Sequence, residues 1–251
     1  MHPEPIQVLQ AARRPVAGPA ALPRLVVAGA TGVLGNEVLR RLVGLQRFGL
    51  AQVLAREPIT TGLRGVRAHC VEGDKPAAWP PLPAEIGVIL FDPPRLFHDR
   101  ERALWTPQPA QLLEVAGWMH RGGVSTIAVV LPHAQGRLPE ALKRGLASLD
   151  EHAVAALGFD RLLFIRSAQK PGDMAAASWP ERVANSMLSI GRLMVPSSEQ
   201  PVRAVKVAEL VAAALELAPP GIHVAAPELV WQAAQGDVQE VAARWLGLQA
   251  A

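Results

Sequence analysis

The chain has 251 residues, 50% apolar and 19% charged, with 21 Gly, 23 Pro, one Cys and no Tyr. One domain of this length hides roughly 73–75% of its unfolded surface, so no disulfide or metal staple is needed, and the composition excludes a disordered or low-complexity chain. Net charge is +3, from 25 Lys+Arg against 22 Asp+Glu, and the basic residues are scattered from Arg13 to Arg244, so no basic groove marks a nucleic-acid partner.

Residues 1–22, rich in Pro, Ala and Arg, lack the apolar core of a signal peptide and are expected to form a flexible tail. The domain is expected to span 23–251. No apolar run reaches the roughly 18 residues of a membrane span. From Arg24, RLVVAGA is a short β-branched run ending in Gly, the pattern of a strand buried on both faces of a parallel sheet. Leu34, Val38, Leu39, Leu42 and Val43 then recur at helical spacing. Further strands are expected at 51–56, 66–72, 86–91, 125–131, 161–167 and 222–225. Helices are expected over Gln108–His120, stopped by Gly122 and Gly123, and over Leu138–Leu157, stopped by Gly158. Others are expected near Trp179–Leu193, Val205–Leu217 and Val238–Leu246. The alternation predicts an α/β fold, a Rossmann-type doubly wound parallel sheet in a single domain.

Three side-chain groups have plain structural readings. Cys70, in RAHCVEG, is expected to be a buried thiol, which favours a reducing, cytoplasmic compartment. His98, Asp99, Arg100 and Arg102 read as a solvated helix start, and Trp105, Trp118, Trp179, Trp231 and Trp245 as core or interface. The seven His show no metal-ligand spacing, so no metal is expected.

The strongest signal is GATGVLG, residues 29–35. Gly29, Gly32 and Gly35 lie three apart between a strand and a helix, where the chain must turn sharply, approach a pyrophosphate closely and seat the helix on the sheet. The backbone around Ala30, Thr31, Val33 and Leu34 and the positive end of the helix would then hold phosphates. A tight structural turn is the alternative. At the end of the second strand stands Arg56, suited to the 2′-phosphate of NADP, followed by Glu57, which would oppose it. NADP(H) is therefore favoured over NAD(H), against the alternative of a solvated strand end. Asp74, after the third strand, could accept from an adenine amino group or simply form a Gly-Asp turn. Phe91, Asp92, Pro93 and Pro94 stiffen the loop after the fourth strand, with Phe91 placed either to stack beside the adenosine or to crowd the nicotinamide.

With GATGVLG, Arg56 and Gly73-Asp74 in place, the chain resembles the atypical and extended short-chain dehydrogenase/reductase superfamily, nearest its NmrA-like, Tat-interacting-protein-like group. AGWMHRGGVSTIAVVL, GFDRLLFIRSA and PVRAVKVAELVAAAL look like that group's later elements. The resemblance implies a Ser/Tyr/Lys catalytic set. Its Tyr position falls near Lys143, its Lys position near Ala147 and its Ser position near Leu131 or Pro132. No alignment gap can restore a Tyr to a chain that has none, and a missing general acid costs typically 10²–10⁴ in rate. His133 and Lys143 are candidate substitutes that could donate a proton if desolvated, against the ordinary readings of a loop His and a solvated helix Lys. The expected role is nucleotide binding or redox sensing, or else NADPH-dependent reduction of a flavin or quinone that needs no Tyr proton. A scaffold that has lost the nucleotide is a third class. A homodimer is the partner such folds commonly form.

Overall fold

A computed structural model describes residues 22–60, 62–95, 98–133, 145–168 and 202–248. Seven strands, β1 (Arg24–Ala28), β2 (Leu50–Ala55), β3 (Val66–Cys70), β4 (Ile86–Leu90), β5 (Thr126–His133), β6 (Arg161–Ala168) and β7 (Gly221–Ala225), form one sheet. Its order is β3-β2-β1-β4-β5-β6-β7, with every neighbouring pair parallel. The chain leaves β1 first towards β2 and β3 and later towards β4, so strand order reverses between β1 and β4. This is a Rossmann-type α/β fold, and the crevice at such a reversal, beyond the C-terminal strand ends, is where ligands bind in open α/β sheets.

The helices are α1 (Gly32–Gly44), the single turn α2 (Asp99–Arg102), α3 (Leu112–Arg121), α4 (Leu149–Ala155), α5 (Ala204–Leu217), α6 (Pro227–Gln235) and α7 (Val238–Trp245). Alternate residues of β1 serve opposite faces. Leu25 and Val27 join a core with Val38 and Leu42 of α1, Val211 of α5, Val230 of α6 and Ala242 of α7. Val26 and Ala28 join a second core with Val115 and Met119 of α3 and with Trp79, Trp105 and Trp118. Both faces are covered, so β1 is apolar without interruption. Trp79 meets Trp105 and Trp118 edge to face, with ring centroids 4.8 and 5.4 Å apart. Each of the three indole N–H groups donates to an oxygen, of Glu72, Asp74 and Pro80 in turn. That is what lets these large amphipathic rings be buried.

Several expectations need correction. Cys70 is exposed, because β3 is the outermost strand and has a neighbour on one side only. The helix expected over Leu138–Leu157 is, among the described residues, only α4; residues 134–144 lie outside them. Ser148 caps α4, its hydroxyl accepting the N–H of Glu151 at 3.2 Å. Ser148 with Glu151 is a capping signature that the glycine stop at 158 overshadowed. The helix expected from Gln108 opens as a 3₁₀ turn, Pro109–Gln111, before α3 begins at Leu112. The helix α6 was not anticipated, although Pro227 at its first position, followed by Val230 and Ala233, is a start signal. The helix expected near Trp179–Leu193 lies outside the described residues. Among those residues, no helix is long and apolar enough to cross a membrane.

Candidate functional site

The three glycines stand at the C-terminal end of β1, at the strand reversal, and each position is closed to a side chain. At Gly29, φ is +82° and a Cβ would lie 2.0 Å from the Leu90 carbonyl oxygen. At Gly32, φ is +66° and a Cβ would lie 2.1 Å from Oδ2 of Asp92. At Gly35 it would lie 2.4 Å from the Gly29 carbonyl oxygen, which is the close seating of α1 on the turn. Ala30 and Thr31 are buried, Val33 is exposed, and Leu34 packs against the first core. The Thr31 hydroxyl donates to the Asp92 carbonyl at 2.6 Å and meets the Thr106 hydroxyl at 2.8 Å.

The start of α1 carries carboxylates of the chain itself. The Gly32 N–H donates to Oε2 of Glu101 at 3.0 Å, and the Leu34 N–H donates to Oδ2 of Asp92 at 2.8 Å. Unpaired N–H groups at the positive end of a helix are natural partners for anionic oxygens. Glu101 is 5% exposed and accepts further bonds from Asn36 Nδ2 at 2.9 Å and from the backbone N–H and Nε of Arg95 at 3.0 and 2.8 Å; Arg95 Nη2 also reaches it. Burial alone would push the Glu101 carboxyl up, but the Arg95 side chain and the N–H groups of Arg95 and Gly32 together carry it below the usual carboxylate range.

Arg56 follows β2 directly, and its guanidinium meets the Asp74 carboxylate at 3.1 Å, both side chains at least half exposed. The structure thus brings these two residues together, each taking up part of the other's capacity. Asp74 Oδ1 also accepts the Trp105 indole N–H at 3.1 Å. Phe91 is buried in the second core. Residues 103–105 lie across the ends of β1 and β2: Arg56 N–H donates to Ala103 at 2.7 Å, Trp105 N–H to Leu54 at 2.9 Å and Gly29 N–H to Trp105 at 3.2 Å. Beside them, between α1 and the loop after β2, a cleft of about 610 Å³ is lined by Asn36, Arg40, Ile59, Leu63, Arg95 and Glu101, among others.

Sequence reasoning missed Asp92, Arg95, Glu101 and Trp105 as parts of this site. The partners of Asp92, Glu101 and Trp105 on α1 and at Asp74 are 31 to 69 positions away, so no local spacing could reveal them, and Arg95 enters the site only through Glu101, six positions on.

On the other side of the strand reversal, His133 ends β5, opposite Ala168 of β6, and β4 separates β5 from β1. Lys143 lies outside the described residues. Leu131 and Pro132 are strand residues paired with Arg166 and Ser167. Ala147 sits before α4 and donates its N–H to Glu151 at 2.7 Å. Glu151 in turn holds Arg166 at 2.8 Å in an ion pair whose side chains are 6% and 2% exposed. Among the described residues, no group of His, Cys, Asp and Glu is arranged to hold a metal.

No family profile matches the chain, and no curated protein matches it in sequence. Among solved structures it is similar to a mutated uronate dehydrogenase, at 12% identity over 91% of this chain and 87% of the other, with a TM-score of 0.45. It is also similar to two enzymes of Bordetella bronchiseptica, each in complex with NAD+. For WbmF the identity is 13% over 92% of this chain and 80% of the other, with a TM-score of 0.44. For WbmH it is 14% over 83% and 79%, with a TM-score of 0.43.

Proposed function

We propose that this is an NADP(H)-binding protein of the atypical short-chain dehydrogenase/reductase type, without the Ser/Tyr/Lys catalytic set, serving nucleotide binding or redox sensing. One observation carries the reading. The turn formed by Gly29, Gly32 and Gly35 opens a thirteen-residue helix at the strand reversal, and its N–H groups already hold anionic oxygens. Those donors suit a pyrophosphate for the same reason that they suit carboxylates.

When bound, the nicotinamide would supply hydride chemistry, while the chain's own part would be to hold the phosphates on α1 and to choose between NADP and NAD. For that choice Arg56 must exchange Asp74 for a 2′-phosphate. The exposed ion pair is worth only about 0–1 kcal/mol, and a 2′-phosphate brings more negative charge and more acceptor oxygens to the same guanidinium than a carboxylate does, which favours the exchange. The chain contains no Tyr to give a proton to a carbonyl. A second reading, a scaffold that no longer takes the nucleotide, is favoured by the Asp92 and Glu101 carboxylates already seated on α1.

The test is to titrate the full chain and its Arg56→Ala variant with NADPH and NADH, following absorbance at 340 nm with carbonyl, quinone and flavin acceptors. The expected result is tighter binding of NADPH, a preference that shrinks about tenfold or more in the variant, and no carbonyl turnover. Turnover with a quinone or flavin would make the protein a reductase that works without Tyr. Absence of binding by either nucleotide overturns the reading in favour of the scaffold.

A further inference from the structure

We propose that the chain carries a stand-in for its own dinucleotide: the Asp92 and Glu101 carboxylates take the place of the pyrophosphate on α1, the Trp105 indole takes the place of the adenine on Asp74, and nucleotide binds only as these contacts open. The inference rests on the dinucleotide reading above and concerns the regulation of that site.

Two carboxylates bring to the start of α1 the kind of charge that a pyrophosphate would bring, and they use the same donors, the N–H groups of Gly32 and Leu34. The absence of a side chain at Gly32 is taken up by Asp92 itself, whose Oδ2 lies 2.1 Å from where a Cβ would be. Glu101 is held from behind by Asn36 and Arg95, so its pose on the helix is fixed by the fold. At the other end, the Trp105 N–H occupies Asp74, the carboxylate that an adenine amino group would use. A phosphate and these carboxylates cannot share the turn, because the donors are spent and like charges repel.

The two ends of the stand-in are anchored differently. Trp105 is 1% exposed, stacked edge-on against Trp79 and tied through its backbone to Leu54 and Gly29. At the carboxylate end, Asp92 is held by the Leu34 N–H, and Glu101 is held by the backbone N–H groups of Gly32 and Arg95 and by the side chains of Asn36 and Arg95, of which that of Arg95 is 42% exposed. Opening therefore begins at the carboxylate end, and the phosphates are the part of the nucleotide that competes first. A site whose competent state is a minor population binds more weakly by that fraction, and removing the competing contact restores the affinity.

The experiment measures NADPH binding by equilibrium dialysis to the full wild-type chain, to Asp92→Ala/Glu101→Ala, to Arg95→Ala and to Asp99→Ala. Asp99 is an exposed carboxylate of α2, 98% accessible, and controls for loss of negative charge alone. The double variant is expected to bind about tenfold tighter or more, Arg95→Ala to fall between it and wild type, and Asp99→Ala to match wild type. Hydrogen exchange at the Gly32 and Leu34 amides should be slow in wild type, fast in the double variant and slow again once NADPH is added. Should the double variant fail to fold, Arg95→Ala against Asp99→Ala decides by the same comparison. Equal affinity in all folded proteins, or equal tightening in Asp99→Ala, overturns the stand-in and leaves the dinucleotide reading standing. Absence of binding in every variant overturns both.

Discussion

Gly29 and Gly73 share a left-handed backbone, with φ of +82° and +68°, yet they are not equally replaceable. An alanine at Gly73 meets nothing within 4 Å and suffers only the strain of that conformation, about 1–2 kcal/mol. An alanine at Gly29 suffers the same strain and also drives its Cβ against the main-chain carbonyl of Leu90, which ends a central strand. Thermal melts should show Gly73→Ala lowered by roughly 2–8 °C and Gly29→Ala lowered by more. Equal melting of the two would mean that the turn is not crowded. The sequence made the glycines of this turn legible because a strand-to-helix junction is a local event. It could not show that Gly32 admits Asp92, because that contact is set by where the β4 loop returns.

At the scale of elements, a buried ion pair joins α4 to β6. Arg166 donates to Glu151 at 2.8 Å and to the Gly145 carbonyl at 2.7 Å, and Glu151 also holds the N–H of Ala147. Taking one partner from a buried ion pair is far costlier than the pair is worth, because the remaining charge loses that compensation away from water. Glu151→Ala is therefore expected to destabilise the protein by about 3–5 kcal/mol, read from urea denaturation. A loss below about 1 kcal/mol would show that the other contacts of the guanidinium, or water, compensate its charge. The strand cores were legible from their apolar runs, since strands covered on both faces have no polar register to hide. Less legible was the length of α4, where a serine cap and a glycine stop compete as signals and residues 145–148 turn out not to be helical.

Across the whole molecule, the shifted groups give stability a definite dependence on acid. Burial pushes the His69 imidazole below its ordinary value of 6.5, so the folded chain resists a proton that the unfolded chain accepts. Its contribution is present above about pH 6.5 and is lost as pH falls from there through the lowered folded value. Glu85 is held below its ordinary 4.5 by hydrogen bonds from the Arg24 side chain and backbone, and Glu101 also lies below 4.5. Their contributions are present above pH 4.5 and are lost as pH falls through their lowered values. Urea midpoints measured from pH 8 to pH 3 should decline in two stages, and His69→Gln should flatten the upper one. An unchanged upper stage in that variant would exclude His69 as its source.

The sequence by itself determined the class of fold, the glycine turn and the absence of any tyrosine, because periodicity, glycine spacing and composition need no partner to be read. The tertiary structure decided what occupies the turn. Asp92, Glu101 and Trp105 all belong to the connection between β4 and α3, and only its path past the ends of β1 and β2 brings their side chains to the donors of α1 and to Asp74. A hydrogen bond between residues 58 or 69 positions apart leaves no trace in local sequence, since its geometry is fixed by strand order and not by neighbours in the chain.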